Sequence, residues 1–260
     1  MDDMLSVSNT DFTGVSQSLT TGGLTVRGSP GTVAYSLWCA TGRNIGPGGT
    51  IPVSVDKADR TATTCFMRGL RENIRIQSSS GLPWLWRRIC FLTKDDLFIS
   101  KVAGDQSPVQ NYAPIAVSSS VNGGYARQWF NLLVNNIPNT VDTFNATIFQ
   151  GQQGKDWDDI MTAKTDSTRI IMVYDKVRTL RSGNANGYFK DMRMWFPMNK
   201  NLVYDDDENG GVTSSSPYST TGLPGMGNYY VLDIVTPGLG GQTTDVVTFR
   251  SQATLYWHEK

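Results

Sequence analysis

Alternating apolar and polar residues predict β-strands over most of the chain. In the segment 64–77, Ile74 and Ile76 alternate with charged side chains, and a Ser/Gly turn separates this predicted strand from the next, at 81–94. Stretches rich in β-branched and aromatic residues predict the other strands, which fall at 32–41, 142–150, 167–181, 188–205, 228–237 and 245–260. About eight strands joined by uneven loops favour an all-β fold, an antiparallel sandwich or jelly roll, over a parallel sheet.

The remaining segments contain one predicted helix. It lies at 155–164, where Asp156 is a candidate N-cap residue and acidic residues occupy the first turn. The segment 125–135 fits either a strand or a short helix. Residues 1–30, rich in Ser, Thr and Gly, are predicted to form an extended N-terminal arm ahead of a single domain spanning 31–260.

The stretch WLWRR concentrates two indole rings and two guanidinium groups within one predicted strand. Period-two alternation places Trp84, Trp86 and Arg88 on one face and Leu85 and Arg87 on the other. The two arginines are therefore expected to have different roles, and only Arg88 shares a face with the tryptophans. For the two rings, two alternatives stay open: packing in the core or at a subunit contact, and stacking with bases of single-stranded nucleic acid.

Composition describes a globular chain and limits what charge alone can do. The chain is 39% hydrophobic and its 23 basic residues balance 23 acidic ones, so any contact with nucleic acid must come from local clustering. Cys39, Cys65 and Cys90 form no C-x-x-C motif, which predicts buried thiols in a reducing compartment. No apolar run is long enough to span a membrane, so no membrane partner is expected.

Residues suited to catalysis or metal binding are scarce, so we expect no enzyme activity and no cofactor. His258 is the single histidine, and a residue near the end of a terminal strand is poorly placed to act as a general base. Asp205, Asp207 and Asn209 resemble the start of a calcium loop, but Ser216 stands where the bidentate Glu is required. A solvated acidic turn is the better interpretation.

The densest basic region falls on the two neighbouring strands at 64–77 and 81–94 and on the loop before them. Arginine and lysine there could neutralise phosphates, and the two tryptophans could stack on unpaired bases. The predicted DNA-binding residues are Lys57, Arg60, Arg68, Arg71, Arg75, Trp84, Trp86, Arg87 and Arg88.

Four segments carry a family resemblance. They are the start DDMLSVSNT, the stretch WLWRRICF, the segment GYFKDMRMWFPMNKNLVYDDDENG at 187–210 and the ending FRSQATLYWHEK, whose ATLYWHEK is the most specific part. Together they resemble the capsid proteins of genomoviruses, small circular single-stranded-DNA viruses related to geminiviruses. The resemblance spans essentially the whole chain.

This resemblance implies a single eight-stranded jelly roll, in agreement with the strand count. It also implies identical subunits that assemble into a small icosahedral shell around a single-stranded DNA genome, in the virion and, during assembly, in the host nucleus. The family's capsid proteins begin with an arm dense in Arg and Lys, whereas this sequence opens MDDMLSV. We therefore expect the sequence to be the ordered, shell-forming part of a protein with such an arm.

Two other functions suit a jelly roll. A carbohydrate-binding module would use exposed tryptophan and tyrosine together with Asp/Asn loops, and particle size in electron microscopy separates it from a capsid protein. A cupin-like enzyme needs several metal-binding histidines, which one histidine nearly excludes.

Overall fold

The computed structural model describes residues 1–45, 60–105, 110–118 and 124–259, and these are mostly strands. The one α-helix of these residues, α1, spans Pro138–Ile148, and a 3₁₀ turn spans Asp96–Ile99. In chain order the strands are β1 (Asp2–Thr10), β2 (Ser16–Thr21), β3 (Leu24–Arg27), β4 (Ala34–Cys39), β5 (Thr64–Ser78), β6 (Trp84–Thr93), β7 (Ala116–Ser118), β8 (Gly124–Trp129), β9 (Ile171–Leu180), β10 (Phe189–Val203), β11 (Asp207–Asn209), β12 (Val212–Ser214), β13 (Asn228–Pro237) and β14 (Val246–Glu259).

Two sheets hold all of these strands except the separate β11–β12 hairpin. The larger, eight-stranded sheet follows the order β10-β5-β14-β1-β8-β7, with β2 beside β1 and β3 beside β14, and the smaller sheet has the order β4-β13-β6-β9. Among the paired strands of the described residues, only β1 and β8 run parallel. The predicted all-β, mostly antiparallel architecture is confirmed, but the described strands outnumber the eight predicted.

The N-terminal segment 1–30, for which an arm ahead of the domain was expected, contributes β1, β2 and β3 to the larger sheet. β1 pairs with β14, β2 and β8, and β3 pairs with β14 from Val246 to Phe249. The ambiguous segment 125–135 forms a strand in its first half and turns in its second.

The helix and one strand were predicted in the wrong places. The predicted strand 142–150 belongs largely to α1, where Pro138 occupies the first turn. Val141, Phe144 and Ile148 recur at helical spacing and are all buried, which is the pattern of an amphipathic helix. The Thr, Val and Ile content of this stretch raised its apparent strand propensity, and packing against the sheet overrode that preference.

The predicted helix at 155–164 is instead a series of turns. The side chain of Asp156 accepts a hydrogen bond from the Gln152 backbone N–H, and that of Asp159 accepts one from the Met161 N–H. Aspartate side chains that bond nearby backbone groups in this way stabilise turns in competition with a helix.

β4, β13 and β6 of the smaller sheet are covered on both faces, whereas its edge strand β9 and part of the larger sheet are open to solvent. The outer face of the smaller sheet packs against α1 and the adjoining loops through an apolar cluster that includes Ile89, Phe91, Phe144 and Tyr230. The inner face packs against the larger sheet. On the far side of the larger sheet, β5, β10 and β14 present alternate residues to solvent.

Candidate nucleic-acid interface

Both tryptophans of the WLWRR stretch lie between the two sheets. Trp84 and Trp86 are 1% and 0% exposed, and the ring of Trp86 packs edge-on against Phe249 at a centroid distance of 5.4 Å. A ring without exposed surface cannot stack on a DNA base. The predicted base-stacking role of these two residues is therefore wrong, and their packing in the core is confirmed.

Arg88 belongs to a closed ring of four buried charges. Its Nη1 lies 2.5 Å from Glu72 Oε2, and its Nε lies 2.8 Å from Asp233 Oδ1. Arg127 completes the ring, with Nε 3.0 Å from Glu72 Oε1 and Nη2 2.5 Å from Asp233 Oδ2. No member is more than 1% exposed, so each charge is compensated within the protein and none is available to a phosphate.

The charge ring (Glu72, Arg88, Arg127 and Asp233) connects the two sheets at one level along the length of their strands. Arg88 and Asp233 are cross-strand partners in the smaller sheet, while Glu72 and Arg127 come from the larger one. On one side of this level the inter-sheet core contains Trp86 and its neighbours, and on the other it contains Cys90 and its neighbours. The ring therefore separates the inter-sheet core into two apolar clusters.

Electrostatics inside the ring favour the charged forms. Burial by itself would raise the pKa of Asp233, but the charges of Arg88 and Arg127 and the hydrogen bonds from Arg88 and Trp86 hold that pKa below its ordinary value. Burial likewise disfavours the charged form of Arg88, yet Asp233 and Glu72 raise its pKa above the usual value.

Arg87 lies on the opposite face of β6, as alternation predicted, and its guanidinium is also occupied. Its Nη2 lies 2.6 Å from Asp175 Oδ2, its Nη1 donates to the Ile160 carbonyl at 2.6 Å, and its Cζ lies 5.2 Å from the centroid of the Phe149 ring. Arg87 is 4% exposed, and its contacts with Phe149 and Ile160 connect the segment that follows α1 to the smaller sheet. Its predicted DNA contact is wrong for this reason.

Arg60 is buried as well. Its two terminal nitrogens each lie 2.5 Å from a carboxylate oxygen of Asp206, and its Cζ lies 3.8 Å from the centre of the Tyr204 ring. This bidentate pair leaves no donor facing solvent, so the DNA-binding prediction for Arg60 is also wrong. Lys57 lies outside the described residues.

Three of the predicted residues do reach solvent, and all three lie on β5. Arg68, Arg71 and Arg75 are exposed. Arg68 donates to Asn199 Oδ1 at 2.7 Å, and Arg75 forms an exposed ion pair with Asp191 at 2.9 Å. Arg71 has no hydrogen-bond or ion-pair partner among the described residues.

Strand register extends this basic surface onto both neighbours of β5. Arg75 lies between Asp191 of β10 and Arg250 of β14, and Asn73 lies between Arg193 and Gln252. The guanidinium groups of Arg193 and Arg250 form no hydrogen bond or ion pair within the described part of the chain. A shallow groove is lined by these side chains, namely Asn73, Arg75, Asp191, Arg193, Arg250 and Gln252.

This surface, the arginine face, comprises the outward residues of β10, β5, β14 and the adjoining β1 and includes Arg68, Arg71, Arg75, Arg193 and Arg250. Two acidic residues lie on it, and each has a partner: Asp191 is bound by Arg75, and Asp3 of β1 accepts a hydrogen bond from Thr254. The hydrogen bond from Arg75 holds the pKa of Asp191 below its usual value. Five arginines against two aspartates give this surface an excess of positive charge.

Arg193 and Arg250 were not among the predicted site residues, although the sequence contains a signal for them. Arg193 alternates with Met192 and Met194, which turn toward the core. Arg250 follows the buried Phe249 in the same way. Applying period-two alternation to β10 and β14, as was done for β6, places both arginines on one outward face.

Other reactive groups are not arranged for chemistry. The three cysteines are free and buried, as predicted, and burial raises the pKa of Cys39 to about 11 and those of Cys65 and Cys90 to about 12. The acidic stretch that resembled a calcium loop contributes Asp207–Asn209 to the β11–β12 hairpin. The residue just before this hairpin, Asp206, forms an ion pair with Arg60. Across the described ranges, no group of three His, Cys, Asp or Glu residues could hold a metal ion.

Comparison with known proteins provides no family assignment: no protein-family model matches the chain, and no curated protein matches it. In the part of the chain that the structure describes, no helix is long and apolar enough to cross a membrane.

Proposed function

We propose that this chain is a viral capsid protein of the genomovirus kind, which assembles with identical copies into a small icosahedral shell and packages single-stranded DNA. The observation that carries the proposal is the arginine face. A chain with zero formal net charge concentrates five arginines on one open sheet face, where only two acidic residues, each with a partner, accompany them. Such clustering fits a polyanion that is bound through its phosphates.

We also propose that eight of the strands form a jelly roll, which is a common fold of capsid subunits. The strands in question are β3, β4, β5, β6, β9, β10, β13 and β14. The first pairs with the eighth, the second with the seventh, the third with the sixth and the fourth with the fifth. Two further pairs, β14 with β5 and β13 with β6, join them into the two sheets. This nested pairing supports the assignment.

Charge separation across the molecule supports a defined inner and outer side of the shell. The segment 138–166, which contains α1 and the loops that cover the smaller sheet, has five aspartates and two lysines. The arginine face lies on the larger sheet, at the opposite side of the sandwich. A subunit with this polarity would bind packaged DNA on one side and repel it on the other.

Exposed apolar residues outside the arginine face support assembly. Ile171 and Val177 are 58% and 41% exposed on β9, which is an edge strand, and Leu223 and Leu239 are each 99% exposed on loops. Apolar residues in such positions become buried when subunits associate. An edge strand additionally offers unpaired backbone groups to a neighbouring copy.

A carbohydrate-binding module is the alternative function for this fold. It would use the exposed Trp195 as its stacking platform. The surrounding arginines favour a phosphate-rich ligand over a neutral sugar, because a guanidinium matches the geometry and charge of phosphate.

Particle imaging and DNA binding test the proposal together. Electron microscopy of the purified protein should show closed shells of uniform size with internal density. In the triple variant R71A/R193A/R250A, none of the three replaced guanidinium groups has a partner among the described residues, so shells should still form with less DNA. The salt dependence of single-stranded DNA binding should also weaken by about 2 in the log–log slope, since each lost phosphate contact removes roughly 0.7.

A matched control separates the arginine face from overall charge. Lys155 and Lys164 are exposed beside α1, and K155A/K164A should leave the DNA content and the salt slope unchanged. A monomer that is retained on polysaccharide, or a triple variant with full DNA content, would overturn the proposal.

A further inference from the structure

β10 exposes two large aromatic rings on the arginine face, Phe189 and Trp195, and the ring of Phe189 already has Arg75 Cζ 5.3 Å from its centroid. Trp195 of β10 is 50% exposed, and its indole packs edge-on against Tyr256 of β14 at a centroid distance of 5.7 Å. Its indole N–H has no hydrogen-bond partner among the described residues. A tryptophan with half its surface in water, at a position where alternation directs the side chain outward, is typical of a ligand contact.

The strand between Trp195 and Tyr256 is shaped to admit the indole ring. Gly69 of β5 is the register partner of Pro197 on β10 and of Tyr256 on β14, and its φ is +156°. A Cβ at this position would approach Trp195 Cζ2 to 2.6 Å and Cη2 to 2.8 Å, which is closer than carbon atoms pack. Glycine therefore lets the indole lie across β5, and the ring is held in place before any ligand binds.

Two cationic side chains lie next to the ring, one on each strand. Arg71 is the direct cross-strand partner of Trp195, so their Cβ atoms lie about 5 Å apart. Arg193 is two residues away on the same strand and face, about 7 Å along β10. Both guanidinium groups lack a partner within the described residues, so both can bind phosphates of a strand whose base lies on the indole.

We propose that Trp195 is a stacking site for unpaired DNA bases, which makes the arginine face prefer single-stranded DNA to duplex. This inference rests on the proposed function, because it assumes that DNA lies on this face. A base in a duplex already has both of its faces stacked, whereas a base in a single strand offers its face to an aromatic side chain. The arginines bind phosphates of either form, and the ring supplies the selectivity.

The test compares two DNA forms on the full chain. Affinity for a fluorescent oligothymidylate and for a duplex of equal length is measured by anisotropy, with wild type, W195A and W195F. Loss of one base–aromatic contact should weaken oligothymidylate binding about tenfold or more in W195A, with duplex binding unchanged, and W195F should recover part of the loss. F12A removes an exposed aromatic ring from the turn between β1 and β2, a residue with no role in the arginine face, and should change neither affinity.

Each outcome separates this inference from the proposed function. Equal losses for both DNA forms in W195A, or no loss in either, overturn the stacking site but leave DNA binding by the arginine face intact. A wild-type protein that binds neither DNA form overturns both. Circular dichroism of W195A and W195F verifies that the variants are folded.

Discussion

Arginine has opposite roles on the two sides of β5. On the inner side, Arg88 and Arg127 are at most 1% exposed and share two carboxylates in the charge ring. On the outer side, Arg71 and Arg193 reach solvent and have no partner among the described residues. The same side chain thus connects the two sheets in one place and remains available to a ligand in the other.

Desolvation explains the difference. A charge that leaves water loses several kcal/mol of hydration, so a buried arginine is stable only where carboxylates of matching geometry surround it. An exposed arginine keeps its hydration, and salt screens its attraction to neighbours. The number of acidic partners therefore tells the two roles apart better than the residue type or the local density of positive charge.

Removing one carboxylate from the charge ring should lower the stability of the protein more than any change on the outer side of β5. Glu72→Leu leaves Arg88 and Arg127 with one shared partner in a buried site, and we expect a loss of about 3–5 kcal/mol in the free energy of unfolding. Urea denaturation measures this loss.

The neighbouring residue on β5 provides the control. Arg71→Leu changes a charged side chain on the outer face, and its urea midpoint should stay close to that of the wild type. Equal midpoints for the two variants would mean that the charge ring contributes no more to stability than the arginine face does.

The two core tryptophans allow a second comparison, in which the expected difference in stability is of intermediate size. Trp86 Nε1 donates to Asp233 at 2.8 Å, whereas Trp84 Nε1 is buried without a partner in the described residues. Trp→Phe at either position removes a similar volume, so the difference between the two variants isolates one hydrogen bond to a charged group. Trp86→Phe should be less stable than Trp84→Phe by about 1.5–3 kcal/mol in urea denaturation.

That difference should depend on pH with a defined sign. The folded pKa of Asp233 is lowered, so its stabilising interactions are fully present above the unfolded value of 3.8 and are lost as the pH falls through the folded pKa. The gap between the variants should be constant near neutral pH and shrink in acid. A gap that widens in acid would contradict an ionised Asp233 as the acceptor.

Alternation along β6 was sufficient to predict that Arg87 and Arg88 have different surroundings. It could not predict that both are buried, because the carboxylates that neutralise Arg88 come from β5 and β13, 16 and 145 positions away. Local basic density was misleading for the same reason: it counts charges along the chain, whereas burial depends on strands that meet only in the fold.

The misplaced helix prediction at 138–164 has a different cause. Val141, Phe144 and Ile148 carry a helical period, but β-branched residues between them suggested a strand. The apolar outer face of the smaller sheet must be buried, and a helix with one apolar side can pack against it. That requirement is visible only once β4, β13, β6 and β9 are known to form one sheet.

The exposed pair of Arg75 and Asp191 should give the smallest effect on stability and a gain in binding. Both side chains are more than half exposed, so Asp191→Asn should leave the urea midpoint almost unchanged. The change frees Arg75 for a phosphate, and the log–log salt slope for single-stranded DNA should steepen by about 0.7. Asp158→Asn removes the same charge beside α1 and should leave the slope unaltered. If both variants steepen the slope equally, net charge governs binding, and the arginine face is no different from the rest of the surface.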